Sequence, residues 1–346
     1  MSSQKRFRDY GLSVGRLPTG PKNLISDVSG IRVGHVTYFE GTDIRTGLTI
    51  IDPGPTIFRK KLPAAISIGN GYGKLVGYTQ VEELGTLETP IALTNTLAVG
   101  PVIRGIVEAT IMQNRDIQPT ETINAVVGET NDSWTNNIHK DVIKKQDVFK
   151  ALKHASTDFE LGCVGAGTGT RAFSWKGGIG SSSRVVSLNG NSYTVGTLVQ
   201  TNFGGDLRIL GKQVGYKLGK TDFDFLLPED GSCMIVVATD APLSAKQLKR
   251  IANRALLALA RTGSVMSHGS GDYAIAFSRS RASIDGVMGQ TLESDSQTLN
   301  PLFLATVDAV EESIYDALFL ANTTVGRNGE TLEALPVDSI IEWLKE

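Results

Sequence analysis

Ser232-Cys233-Met234-Ile235-Val236-Val237-Ala238-Thr239 is the most strand-like stretch of the chain. It is a short apolar run, rich in β-branched residues, that follows a glycine and begins with a hydroxyl amino acid. Behind it the period changes. Ser244-Ala245-Lys246-Gln247 fits a capping box. Leu248, Ile251, Ala252, Ala255, Leu256 and Leu259 then fall on one helical stripe, which Gly263 stops. Tyr273 to Ser278 reads as a further strand. Asn300-Pro301 reads as the cap of a second long helix, with Phe303, Val307, Val310, Ile314, Ala317 and Ala321 on its inner face.

Upstream the same mixture recurs. Ile31 to Val36 and Thr46 to Ile51 read as strands, the second ending at the Asp52-Pro53-Gly54 turn. Ala64 to Ile68 is another, closed by Gly69-Asn70-Gly71. Leu75 to Leu84 is expected to form a short helix. Val102 to Gln113 is expected to form a longer one, with Ile103, Ile106, Val107 and Ile111 along one face. From Ile123, the run INAVVGE reads as a strand ending in a polar loop. Residues 161–205 are rich in Gly, Ser and Thr and suit a flat hairpin at the floor of a site. The polar segment Gly211 to Gly231, broken by glycine and proline, reads as an exposed or cleavable connector. Strands and helices mixed in this way imply an α+β protein of packed layers, with the strand order left open.

Composition narrows the function. In 346 residues, Lys+Arg 34 against Asp+Glu 36 leave a net charge of −2, which gives no footprint for nucleic acid or an anionic membrane. No apolar run approaches the roughly 20 residues of a membrane span, and the amino terminus lacks the apolar core of a secretory signal. The two cysteines, Cys163 and Cys233, are too few for a disulfide scaffold or the usual cysteine-based zinc site. A soluble, cytoplasmic protein without a metal or other cofactor is expected.

Gly231-Ser232 has the layout of a self-processed N-terminal nucleophile. Cleavage between them would give Ser232 an α-amine with a pKa of about 7.7–8.0, able to help deprotonate its own hydroxyl. A simple turn before a strand is the alternative. Ser270 and Asp272, two apart on an extended segment, point to one side, so Asp272 could orient Ser270 while Ser270 contacts Ser232. A solvent-facing loop is the alternative there. His35, His139, His154 and His268 show no metal-ligand spacing, and a structural or supporting role suits His268 better than a triad with its sequence neighbours. The glycine clusters 69–74 and 165–170 match neither a Walker A nor a dinucleotide fingerprint. Glu129, in Gly128-Glu129-Thr130-Asn131-Asp132, ends an apolar strand where a carboxylate could hold a substrate ammonium; a plain turn is the other reading.

Taken in order, NLISDVSGIRVGHVT, TGLTIIDP, PAAISIGNGYGKLVG, TPIALTNTLAVGPV, VVGETND, GCVGAGTGT, TLVQTNFGG, DGSCMIVVATDAPL and HGSGDYAIAFS resemble the DmpA/BapA family of L-aminopeptidase/D-esterases and β-peptidyl aminopeptidases. The resemblance covers roughly residues 22 to 320. It implies a four-layer αββα sandwich, similar to N-terminal nucleophile hydrolases but with a different strand connectivity. It also implies one domain, residues 1–346, made as a precursor that cleaves itself into an α fragment, 1–231, and a β fragment, 232–346. The family's nucleophile matches Ser232 and its serine–acid pair matches Ser270 and Asp272, where some relatives carry Glu at the second position. The oxyanion-stabilising asparagine matches Asn202, and the acid that holds the substrate amine matches Glu129. Asn131 stands where some relatives carry tyrosine.

The activity so implied is release of an N-terminal residue from a short peptide, amide or ester with a free amino group, through an acyl-enzyme on Ser232. The assembly implied is a tetramer of αβ units. Two rivals keep parts of this picture. Ornithine acetyltransferases share the architecture and self-cleavage but use threonine as nucleophile. An unprocessed relative could serve as a scaffold that binds a small ligand.

Overall fold

The structure, a computed structural model, describes residues 4–221, 230–284 and 291–346. Among these residues, eleven strands form the two large sheets: β1 (Arg32–Glu40), β2 (Ile44–Asp52), β3 (Leu62–Gly71), β4 (Leu75–Val76), β5 (Thr86–Leu87), β6 (Ile91–Asn95), β7 (Val126–Thr130), β8 (Ile179–Leu188), β9 (Asn191–Asn202), β10 (Asp230–Thr239) and β11 (Gly269–Ser278). The five-stranded sheet runs β1-β2-β6-β7-β4 and the six-stranded sheet β8-β9-β10-β11-β3-β5. The chief helices are α1 (Tyr78–Leu84), α2 (Val99–Gln113), α3 (Lys145–His154), α4 (Ala245–Ala255), α5 (Leu257–Thr262), α6 (Ser296–Phe319) and α7 (Val337–Lys345).

Side-chain alternation on β10 sets the layering. Met234, Val236 and Ala238 enter a core shared with Ile51, Leu93 and Val126 of the five-stranded sheet. Cys233, Ile235 and Val237 enter another, with Leu248 and Ile251 of α4 and Val310 and Ile314 of α6. A third core packs Leu48, Ile50 and Val127 against Val102 and Ile106 of α2 and Val148 of α3. A strand buried on both faces needs apolar residues at successive positions, which is why 233–238 shows no polar alternation. The order is helix, sheet, sheet, helix: the αββα sandwich implied by the resemblance.

Most elements fall where the sequence placed them, and the exceptions have local causes. Leu75 and Val76 form an edge strand against Val127 and Gly128. Gly77, at φ +86°, then turns the chain, and a Cβ there would lie 2.6 Å from the Ala125 carbonyl oxygen, so the helix starts only at Tyr78. The Ser244–Gln247 capping box forms, but the stripe behind it is carried by two helices, α4 and α5, before Gly263 at φ +103°. The long carboxy-terminal helix is capped by Asp295, whose carboxylate accepts the Thr298 N–H at 2.8 Å. Pro301 is therefore inside the helix and forfeits one backbone bond.

The segment expected as a connector is partly folded. Lys212–Gln213 pairs with Arg208–Ile209, Val214 is fully buried, and Gly231 belongs to β10. Its residues 222–229 lie outside those described.

Candidate active site

Ser232 is buried near the amino end of β10, on the face turned towards the other sheet, as the alternation with Met234 and Val236 requires. Its hydroxyl donates to the carbonyl oxygen of Gly231 at 2.5 Å. On the β9 side the antiparallel register pairs Ser232 with Asn202. Paired residues share a face, so the carboxamide and the hydroxyl are neighbours. Asn202 is tethered at both ends: its Oδ1 accepts the Arg171 N–H at 3.0 Å and its Nδ2 donates to the Asn131 carbonyl at 3.0 Å. The second Nδ2 hydrogen is left for another acceptor.

On the β11 side Ser232 pairs with Gly271. The space a side chain would fill there is taken by the 69–74 loop: a Cβ on Gly271 would lie 3.1 Å from the Gly73 Cα. A Cβ on Gly73 would in turn lie 3.5 Å from Glu129 Oε1. Glycines at both positions let the two sheets approach, and Tyr273 fixes the loop by donating to the Gly73 carbonyl at 2.9 Å. Glu129, at the end of β7, is thereby brought close to the Ser232 face. Its carboxylate is buried, accepts the Lys74 N–H at 2.8 Å and the Thr96 hydroxyl, and has the exposed Lys74 Nζ 3.7 Å away.

Ser270 and Asp272 are buried in β11, so the solvent-facing loop is excluded, and they share a side as expected. That side is the helix-facing one. Asp272 pairs with Cys233 and Ser270 with Gly231, both on the face away from the Ser232 hydroxyl. The expected contact between Ser270 and the Ser232 hydroxyl is thus not made in this chain; Ser270 stands beside the Gly231–Ser232 backbone instead. Neither the Ser270 hydroxyl nor the Asp272 carboxylate has a hydrogen-bond partner among the described residues. Burial pushes the Asp272 carboxyl up to about 6, offset only in part by the nearby Ser270 hydroxyl and Cys233 amide.

In both glycine clusters several amides are already bonded within the protein. The Gly165 and Ala166 N–H groups donate to Thr37 and Thr49 hydroxyls at 2.8 and 3.1 Å. The 69–74 loop braces β11, with Tyr72 N–H donating to the Ser270 carbonyl at 3.1 Å and Asn70 Nδ2 to the His268 carbonyl at 2.9 Å. His35 bonds Thr49 and the Glu160 carbonyl, and exposed His268 lies beside the Tyr72 ring. Asn131 acts on Asn202 through its carbonyl, while its own side chain accepts the Ser133 N–H at 3.0 Å. Thr96, Lys74, Gly73 and Arg171 were not singled out from sequence. Thr96, Lys74 and Gly73 lie in the TNTLAVG and GNGYGK runs and Arg171 directly follows GAGTGT, runs that carry the family resemblance but single out none of the four.

The chain that carries this site has relatives among known proteins. The family model for peptidase family S58 matches residues 23–332. This chain belongs to peptidase family S58. It is 37% identical to the β-peptidyl aminopeptidase BapA of Sphingosinicella microcystinivorans, over 99% of this chain and 92% of the relative. The PH0078 protein of Pyrococcus horikoshii OT3 superposes with a TM-score of 0.90 at 42% identity, covering 98% of each chain. The L-aminopeptidase D-Ala-esterase/amidase of Ochrobactrum anthropi, described as a prototype serine aminopeptidase and a variant of the Ntn hydrolase fold, superposes at 0.88 with 31% identity, covering 98% of each chain. Membership of S58 makes this chain a hydrolase of the aminopeptidase kind, and the sandwich is the Ntn-like one. Among the described residues, no helix is long and apolar enough to cross a membrane.

Proposed function

We propose that this S58 peptidase cleaves itself between Gly231 and Ser232 and then releases N-terminal residues from short peptides, amides or esters through an acyl-enzyme on Ser232. What carries the reading is the position of the Ser232 hydroxyl, which touches the carbonyl of its own preceding residue on the face it shares with Asn202 and Glu129. In processing, Oγ adds to the Gly231 carbonyl carbon, the C–N bond breaks, and the Ser232 nitrogen takes up the proton. Water then hydrolyses the resulting ester, leaving a carboxylate on Gly231 and an α-amine on Ser232. Strands from both sides of the cut share one sheet, with β9 paired to β10 over eight residue pairs, so the fragments 1–231 and 232–346 stay together.

In catalysis Glu129 holds the substrate ammonium and Ser232 Oγ attacks the first carbonyl. The free Nδ2 hydrogen of Asn202 meets the developing oxyanion. The new α-amine accepts the hydroxyl proton and passes it to the leaving group. Ser270 serves that nitrogen, beside which its register places it, and Asp272 orients Ser270. Deacylation by water completes the cycle without a metal or cofactor. The assembly is a tetramer of αβ units, and two free cysteines suit a reducing cytoplasm.

The test is a denaturing gel of purified protein, amino-terminal sequencing of the smaller fragment, and release of p-nitroaniline from L-α- and β-aminoacyl p-nitroanilides. The expected result is two fragments, the smaller beginning at Ser232, with hydrolysis that fails when the substrate amine is acetylated. An active preparation made only of intact chain would overturn the proposal.

A further inference from the structure

A cleft of ≈ 460 Å³ opens directly beside the site, and its walls include Thr96, Asn131, Ile138, His139 and Arg327. Two of these residues tie it to the reacting centre. Thr96 gives its hydroxyl to Glu129, and the Asn131 carbonyl holds Asn202. A molecule anchored at Glu129 and Asn202 therefore has this cleft as its adjoining space.

The cleft is built around a cation. None of its described lining residues is acidic. Among the described residues Arg327 has no ion-pair partner and its one side-chain bond runs from Nε to the Ser133 carbonyl at 3.1 Å, so that neither terminal NH₂ group has a partner there. Nor is this a loosely tethered surface arginine. Its N–H donates to the Thr135 carbonyl at 2.9 Å, and Gly326 packs so closely that a Cβ would lie 2.6 Å from the Thr135 Cα. On the other side buried Arg45 donates from Nε to the Val325 carbonyl at 2.9 Å. With its stem fixed, the guanidinium meets a carboxylate with little further ordering cost, and its planar fork matches that group.

We propose that this cleft is a carboxylate subsite, with Arg327 as its anchor, so that the favoured substrates are short peptides carrying a free carboxylate as well as a free amine. The inference rests on the site assigned above, where Glu129 takes the amine. The carboxylate has two sources, the C-terminus of a dipeptide or an acidic side chain on the first residue.

Binding is measured calorimetrically on the purified enzyme with dipeptide isosteres whose peptide bond is reduced to CH₂–NH, so that hydrolysis plays no part. One pair compares the C-terminal acid with its carboxamide; a second compares first-residue Glu with Gln. Wild-type enzyme is expected to prefer the acid of one pair roughly tenfold, which also identifies the source. In Arg327→Gln the ratio falls towards one, and in Arg327→Lys part of it remains. Equal binding of acid and amide in both pairs by the wild type, or an unchanged ratio in Arg327→Gln, would overturn the subsite. The p-nitroanilide assay reports the aminopeptidase reading separately, since those substrates carry no carboxylate.

Discussion

Asp272 stands beside Cys233 across the parallel pair of β10 and β11, on the helix-facing side of the sheet, while Ser232 one residue away faces the opposite sheet. Simple alternation therefore splits the polar groups into two sets. Ser232, Asn202 and Glu129 share the space between the sheets; Ser270 and Asp272 lie behind it. What joins them is the Gly231–Ser232 backbone, and the proposed cleavage there would turn a peptide nitrogen into an amine beside the rear pair.

Asp272→Asn is expected to stabilise the folded chain at neutral pH. The buried carboxyl is raised to about 6 from its ordinary 3.8, so between about pH 4 and 6 the folded state keeps a proton that the unfolded chain releases. Its contribution is thus most favourable in acid and is lost as pH rises through that window. The loss totals no more than roughly 3 kcal/mol. Urea titrations from pH 4 to 8, with both chains carrying Ser232→Ala to exclude processing, should show the Asp272→Asn chain gaining stability relative to the parent as pH rises from about 4 to 6. Parallel curves would refute the shift.

Glu129→Gln should leave processing intact and raise KM for free-amine substrates by roughly tenfold or more, the scale of a charge-assisted hydrogen bond. The amide keeps an acceptor for the Lys74 N–H, which the carboxylate bonds at 2.8 Å, so the fold should hold. An unchanged KM would remove the ammonium anchor.

Asn202→Ala deletes the side-chain donor that faces Ser232 across β9 and β10. A drop in kcat of about 10²–10³ with KM little altered is the expected outcome. If kcat/KM falls only through KM, the carboxamide serves substrate positioning and the oxyanion must be stabilised elsewhere.

How much of this was legible beforehand depended on whether a pattern was local. The 232–239 strand, the Ser244 cap and the Gly263 stop are written in adjacent residues, and each appears as read, the strand starting two residues earlier at Asp230. Pro301 misled because an interior proline and an N-terminal one look alike until Asp295 is seen to cap. Ser270 and Asp272 were correctly placed on one side, but which side depends on register with β10, information no short window contains. The 69–74 glycines are needed because β7 and β11 converge on them from distant parts of the chain.

His35 provides a pH dependence of the opposite sign, away from the proposed catalytic residues. Its ring is held between the Thr49 hydroxyl at 2.9 Å and the Glu160 carbonyl at 3.1 Å. Desolvation lowers it from 6.5 to about 4, against the opposing pull of the carbonyl. The unfolded chain takes up a proton near pH 6.5 that the folded chain refuses until about 4, so this contribution is complete above 6.5 and fades as pH falls through the interval. Its full extent is at most roughly 3 kcal/mol. Histidine Cε1 proton resonances followed by NMR should show one, assigned by its absence in His35→Asn, whose midpoint lies near 4. The same variant should flatten the acid limb of the stability curve. A His35 resonance that titrates near 6.5 would show that the ring is solvated and that the packing between β1 and the Glu160 segment is looser than described.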